Sequence, residues 1–269
     1  MRFNVKVSNF VGKYLFMKPR KPIYLITFLL ITVFAWSCED KEQTLESKAE
    51  NPDIAASLKT DSLAPCISEC LMSLQYEEIS PEEEAHLLMM REEELMAQEV
   101  YQYLYSLYNV PVFNNISRSE NTHTLTIKVL LDKYNIADPA LGHEVGVFHD
   151  QEIQDLYNNL TEQGSQSFLD ALIVGITIED LDIYDLEICL EDVDNTDIGL
   201  VFSNLSRGSR NHMRAFNGHL DNQGFTYNPQ HISQVYFDDI VNSPWETGNG
   251  ICQSCHLVKR TEGDPAGIE

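Results

Sequence analysis

Between residues 81 and 220, apolar positions recur at alternating steps of four and three, the period of a helix buried along one face. Four long stretches carry this pattern. The first, about 81–108, aligns Met90, Glu94, Ala97, Tyr101, Leu104 and Tyr108. Ser80-Pro81-Glu82-Glu83 is its start signal, with a capping serine, proline at the first helical position and glutamate at the capping-box position. Pro111 must lie beyond its end. The second stretch, about 114–134, aligns Ile116, Glu120, His123, Ile127, Leu130 and Tyr134. The third, about 167–192, aligns Leu172, Ile176, Glu179, Ile183, Leu186 and Leu190; the fourth, about 196–220, aligns Val201, Leu205, Ser209, His212, Phe216 and His219. Shorter helices are predicted over about 66–76 and 150–162. No segment sustains the period of two that a half-buried strand needs, so the fold class is all-α.

Each stripe carries the same defect. Two to three turns from its ends stands an acidic or imidazole side chain: Glu94, the Glu120-x-x-His123 pair, Glu179 and His212. Packed together, four such helices bring these groups to one level of a bundle. Burying them is costly without compensation, and a shared metal is the usual compensation. Spacing of three places Glu120 and His123 on one face, so the glutamate can bridge two ions while the histidine caps one. The two halves echo each other: Glu94 precedes Glu179 by 85 residues and His123 precedes His212 by 89. The stretch from about Asn135 to Gln166 is long enough for a crossover between two helix pairs. Where a second Glu-x-x-His would place its glutamate stands Ser209; Asp182, one turn after Glu179, is a candidate for the missing carboxylate.

Taken singly, a glutamate on an apolar face usually reaches solvent and a buried histidine usually hydrogen-bonds. Four coincident stripes point to a common cation. Glu92 and Glu93 read as solvated flank, Tyr101 and Tyr105 as core, one of them a candidate donor beside the ions. His219 reads as surface or lower core. His86, His143, His149 and His231 lie in helix-end or loop contexts and receive no role.

Composition narrows the partners. Of 269 residues 43% are hydrophobic, enough for one sizeable core, and 18 Lys+Arg against 42 Asp+Glu give a formal charge of −24. Such a chain repels nucleic acid and anionic lipid.

The amino terminus reads as an export signal. Arg2, Lys6, Lys13, Lys18, Arg20 and Lys21 precede an apolar run, Ile23 to Phe34, too short to span a membrane. Ala35-Trp36-Ser37 then leads to Cys38, which resembles the acylated first residue of a bacterial lipoprotein, although Trp36 departs from the small residue usual there. Several acyl chains on Cys38 would make a firm anchor. The expected organisation is a signal peptide over 1–37, an acylated Cys38 with a polar tether and short helix over 38–79, the bundle over 80–242, and a tail over 243–269. The expected location is the periplasmic, outer-membrane or cell-surface side of a membrane, reached only through the anchor.

Four further cysteines flank the bundle. Cys66-x-x-x-Cys70 precedes it and Cys252-x-x-Cys255-His256 follows it, and in an oxidising compartment these favour disulfides whose connectivity the spacing leaves open. Cys252, Cys255 and His256 also form the c-type haem attachment pattern. Only 13 residues follow His256 and Met213 is the last methionine, so a haem there is disfavoured. A zinc site from the four cysteines is a minority alternative. Cys189 reads as a small buried apolar residue.

The segments MREEELMAQEVYQYLY, VPVFNNISRSENTHT, GITIEDLDIYDL and LSRGSRNHMRAF are similar to successive signatures of an uncharacterised ferritin-like family, the domain of unknown function numbered 2202. The similarity runs from about Glu82 to Tyr236. It implies a ferritin-like four-helix bundle with a long crossover containing a short helix, and a dinuclear iron centre; Gly208-Ser209-Arg210-Asn211-His212 is in pattern for the family. The expected ligands are Glu94, Glu120, His123, Glu179 and His212, with Asp182 as a sixth candidate. Two iron ions are expected, manganese and zinc being compatible with the same donors, and O2, peroxide or ferrous iron as reactant. The alternative is a metal-stabilised binding or interaction module without catalysis. A homodimer is a candidate assembly, whereas a lipid anchor and a long tether at each amino terminus fit a closed ferritin-type shell poorly.

Overall fold

A computed structural model describes residues 66–247. The segment read as a signal peptide, Cys38, and the tail carrying Cys252, Cys255 and His256 lie outside them. The described residues form seven helices: α1 (66–73), α2 (Pro81–Tyr108), α3 (Pro111–Tyr134), α4 (Gln151–Gly164), α5 (Phe168–Asp192), α6 (Thr196–Asn222) and α7 (Gln234–Asn242). Their one β feature is the isolated pairing of Glu144 with Val147. None of these helices is long and apolar enough to cross a membrane.

The helix ends follow local chemistry. Ser80 accepts from the Glu83 N–H at 3.1 Å, while the Glu83 carboxylate accepts from the Ser80 N–H at 2.9 Å. This reciprocal cap stabilises a helix start by about 1 kcal/mol. Asn109 and Asn135 close α2 and α3 in the left-handed conformation that asparagine tolerates better than most residues. Helix α3 begins three residues earlier than the periodicity suggests, because Pro111 suits a first turn whose N–H has no partner anyway. Helix α7 was not among the expected elements. It has nine residues and buries only Phe237 and Ile240, too short a stripe to stand out.

Two contacts determine how the long helices run. At the start of α2, Glu83 Oε1 accepts from the Asn195 N–H at 2.9 Å and the Asp194 N–H at 3.2 Å, in the turn between α5 and α6. At its far end the Tyr108 hydroxyl donates to the Gly164 carbonyl at 2.8 Å, just before α5. Thus α2 and α5 are antiparallel, and two- and three-residue links make α2/α3 and α5/α6 antiparallel hairpins. Helices α3 and α5 therefore point the same way. The chain between them must traverse the bundle, on the order of 40 Å for helices of this length, and α4 lies within that crossover against α2 and α5. Helix α2 also packs on α5 and α3 on α6, closing four long helices around one axis.

The core is divided in two. One apolar cluster contains Met96, Tyr101, Leu104, Phe113, Ile116, Ile176 and Phe216; the other contains Leu87, Met90, Ile127, Leu130, Leu186, Phe202 and Leu205. On α2, α3 and α6 the residues between the clusters, 91–95, 117–126 and 206–212, hold the polar groups singled out above. A buried belt of charge separates two dry plugs.

Candidate metal centre

Five expected ligands meet in that belt. Glu94, Glu120 and His123 form one compact group, and Glu120, Glu179 and His212 another; within each, one donor atom per residue lies within 4.8 Å of the others. Glu120 belongs to both. Its Oε2 is 2.6 Å from His123 Nδ1 and its Oε1 is 2.8 Å from His212 Nδ1. Glu94 Oε2 approaches His123 Nδ1 at 3.2 Å, and Glu179 Oε2 approaches His212 Nδ1 at 3.4 Å. The two imidazoles stack, with ring centroids 5.8 Å apart.

The surroundings hold these side chains in place. Gly208 leaves room for His123: a Cβ there would lie 2.8 Å from the ring atoms Cε1 and Nε2. The Tyr101 hydroxyl donates to Glu179 Oε1 and to the Gly175 carbonyl, and its ring stacks on Phe216. Tyr101 is therefore both core and a donor to a candidate ligand. Ser209 donates to Asp182 Oδ2. Asp182 is buried at the edge of the centre and belongs to neither compact group. The serine at the ligand-deficient position thus holds a carboxylate from the neighbouring helix.

Hydrogen bonding separates this belt from the buried acids Asp180, Asp197 and Glu99. Asp180 accepts from the Tyr227 hydroxyl and the N–H groups of Gln230, His231 and Ile232. Asp197 accepts from Lys133, Tyr134 and the Ile198 N–H. Glu99 accepts from His143 and the Gly146 N–H. In the belt, by contrast, Glu94 Oε1, Asp182 Oδ1, both oxygens of Glu93, Asp185 Oδ2 and His212 Nδ1 are buried without a hydrogen-bond partner. His212 Nδ1 stands at contact distance from Glu120 without hydrogen-bonding alignment, as two donors aimed at a common point would.

Burial pushes the Glu94 carboxyl well above its usual range, and Asp182 and Glu120 add to the rise. Burial also raises Glu179, partly offset by His212. Asp182 is pushed up to about 8 by burial and by Glu179 and Glu120. For Glu120 the burial cost is outweighed by His212 and His123, which hold its carboxyl below the usual range. Burial opposes protonation of the histidines, but Glu94 and Glu120 raise His123, while Glu120 and Glu179 raise His212 to about 10. The metal-free belt therefore stores protons on groups that a cation would have to displace. Carboxylate oxygens with imidazole nitrogens form a donor set suited to iron, manganese or zinc.

Two expectations need correction. Glu92 and Glu93 are buried, not solvated flank. The crossover covers α2 at Glu92, which accepts from the His149 N–H at 2.9 Å, whereas Glu93 lies within electrostatic reach of Asp182 and Asp185 on α5. A single-face stripe underestimates burial when a further layer covers the helix. His143, assigned nothing from its loop context, contacts Glu99 at 2.6 Å and ties the crossover to α2. Asp185, on the same face as Asp182, was missed; the sign was its three-residue spacing from Asp182 inside an apolar run. Cys66 and Cys70 are disulfide-bonded, and Cys189 is free and buried.

Residues 83–244 match the family described as Uncharacterized protein domain (DUF2202). The chain is 48% identical over 180 residues to Uncharacterized protein MJ0754 of Methanocaldococcus jannaschii, an alignment covering 67% of this chain and 97% of that protein. Its structure is similar to the crystal structure titled hypothetical protein MJ0754 from Methanococcus jannaschii DSM 2661, with a TM-score of 0.64 and 48% identity, covering 65% of this chain and 99% of that one.

Proposed function

The chain belongs to the DUF2202 family, and from that footing we propose that it is a ferritin-like protein whose four long helices hold a dinuclear metal centre, with iron as the resident metal. The single observation that carries this reading is the sharing of Glu120 between two buried ligand groups, one carboxylate oxygen facing each histidine. Glu94, Glu120 and His123 would hold one ion, and Glu120, Glu179 and His212 would hold the other. When bound, two irons supply redox chemistry toward O2 or peroxide, or toward the oxidation of ferrous iron.

The chain's own residues do the rest. The apolar clusters on either side exclude water, which strengthens every charge interaction between them. Tyr101 orients Glu179, Gly208 admits the His123 ring, and Ser209 keeps one Asp182 oxygen engaged while leaving Oδ1 free. We extend the proposal to an exported protein tethered through an acylated Cys38, on the strength of the basic segment and apolar run that precede it.

One observation favours a second reading, a metal-stabilised module without turnover. Glu94, Glu120 and Glu179 are almost wholly sealed from solvent, which suits ions that tie helices together. Metal analysis and a visible spectrum of protein purified without added metal, followed by O2 or peroxide addition, separate the two. Two irons per chain with a spectrum that changes on oxidation supports the enzyme. Bound metal with no redox response and a large chelator-induced fall in Tm supports the module. Protein that takes up no metal at either group overturns both.

A further inference from the structure

We propose that Cys252 and Cys255 pair with Cys66 and Cys70, so that two disulfides fasten the carboxy-terminal tail to α1. The inference goes beyond the metal centre; of the reading above it uses only the assignment of Cys38 to lipid.

Cys66 and Cys70 are both disulfide-bonded. Helical spacing keeps them from bonding to each other. Four residues apart on α1, their Cβ atoms stand about 5–6 Å from one another, whereas a disulfide holds its Cβ atoms at about 3.5–4.5 Å. Each sulfur therefore needs a partner from elsewhere in the chain. Of the six cysteines, Cys189 is free and buried, and Cys38 is the acylated residue. Cys252 and Cys255 remain, one for each.

The course of the chain leads toward α1. Phe237 and Ile240 of α7 lie in the first apolar cluster. Glu246 is then clamped to α6 beside the charged belt. Its carboxylate accepts from Arg210 at 2.6 and 2.8 Å and from Arg214 at 2.9 Å. Its N–H donates to Asn211 Oδ1 at 2.9 Å, and its carbonyl accepts from Asn211 Nδ2 at 3.0 Å. Helix α1 sits at the opposite end of the bundle, where Ile67 and Leu71 are buried in the second cluster with Ile198 and Phe202, and Cys66 packs against it. Lys133 ties α1 to the start of α6, donating to the Leu71 carbonyl at 3.0 Å and to Asp197 at 2.7 Å. Along α6, Asn211 and Ile198 are about 20 Å apart. The stretch from Glu246 to Cys252, when extended, spans up to about 20 Å. A tail that continues from the first cluster past the belt therefore reaches α1 as its first cysteine arrives.

Each bond forms by thiol–disulfide exchange. Two thiols of the chain give up two protons and two electrons to a protein disulfide of an oxidising compartment, which leaves as a dithiol. The same sulfurs are then unavailable for thioether bonds to haem or for zinc.

The test is a peptide map of the full exported chain, alkylated, unfolded and cleaved after glutamate without reduction. Cleavage after Glu69 separates Cys66 from Cys70, while Cys252 and Cys255 stay on one peptide. The expected product is a three-peptide assembly in which the Cys66 and Cys70 peptides are each joined to the tail. A Cys66–Cys70 pair without the tail, or a tail that carries haem, overturns the proposal. A link to Cys38 overturns it together with the lipid assignment. In the variant Cys252→Ser/Cys255→Ser, the unfolded chain is expected to show two more reactive thiols than the parent. An unchanged count overturns the clasp, and because it is read on unfolded chain it stands even where the variant fails to fold. None of these results bears on the dinuclear reading.

Discussion

Glu120 turns its two carboxylate oxygens to different histidines, Oε2 toward His123 Nδ1 at 2.6 Å and Oε1 toward His212 Nδ1 at 2.8 Å. One side chain thereby serves two ligand groups rooted on four helices. Its removal should therefore cost more than removal of either terminal glutamate. Glu120→Ala is expected to lose both ions, and Glu94→Ala or Glu179→Ala one each, by metal analysis of folded protein. Glu120→Ala that retains one tightly bound ion would break the sharing argument.

Metal affinity should rise with pH. Coordination requires neutral imidazole and ionised carboxylates, whereas the metal-free belt holds His212 up to about 10 and Asp182 up to about 8. Binding must release protons, so affinity is expected to climb between about pH 6 and pH 9, with proton release measurable in weakly buffered calorimetry.

The metal-free protein should show the opposite trend in stability. Asp182 and Asp185 are raised from 3.8 to about 8 and about 7, and His212 from 6.5 to about 10. In each case the folded state binds the proton more tightly than the unfolded chain, so the associated stability is present at low pH and is lost as pH rises through the folded value. Glu120, held low, titrates on the acidic side of this window. The Tm of chelator-treated protein is expected to fall from pH 5 to pH 9, and added metal to flatten or reverse that slope. A rising Tm without metal would contradict the picture of stored protons.

Gly208→Ala separates folding from binding. Alanine is favoured over glycine inside a helix by about 1 kcal/mol, but here its Cβ would press on His123 at 2.8 Å. Metal binding at the Glu94–Glu120–His123 group should weaken at least tenfold, while helicity by circular dichroism stays intact. Unchanged affinity would mean that the ring shifts without cost.

Tyr101→Phe removes the hydroxyl that Glu179 and the Gly175 carbonyl share while keeping the ring on Phe216. Loss of a buried hydrogen bond to a charged group costs about 1.5–3 kcal/mol. The weakening should fall on the ion capped by His212 and spare the one capped by His123, as read by competition with a chromophoric chelator. Equal loss at both would assign Tyr101 to packing alone.

Much of this arrangement was legible along the chain because helix periodicity is a local property. The stripes through Glu94, Glu120, His123, Glu179 and His212 repeat at 3.6 residues, so their depth along each helix follows from counting. The start of α2 was equally plain, since Ser80, Pro81 and Glu83 act within one turn. What the order of residues did not reveal depends on contacts between segments distant in sequence. Glu92 reads as solvated until the crossover is seen lying over α2, with the His149 N–H donating to it across 57 positions, and Glu93 until α5 brings the charges of Asp182 and Asp185 to bear on it. The role of Ser209 waits on Asp182 coming within reach from α5, and the reason for Gly208 on the His123 ring arriving from α3. Periodicity says which face of a helix is dry; only packing says which charges then confront one another, because that confrontation is decided by the register in which separate helices meet.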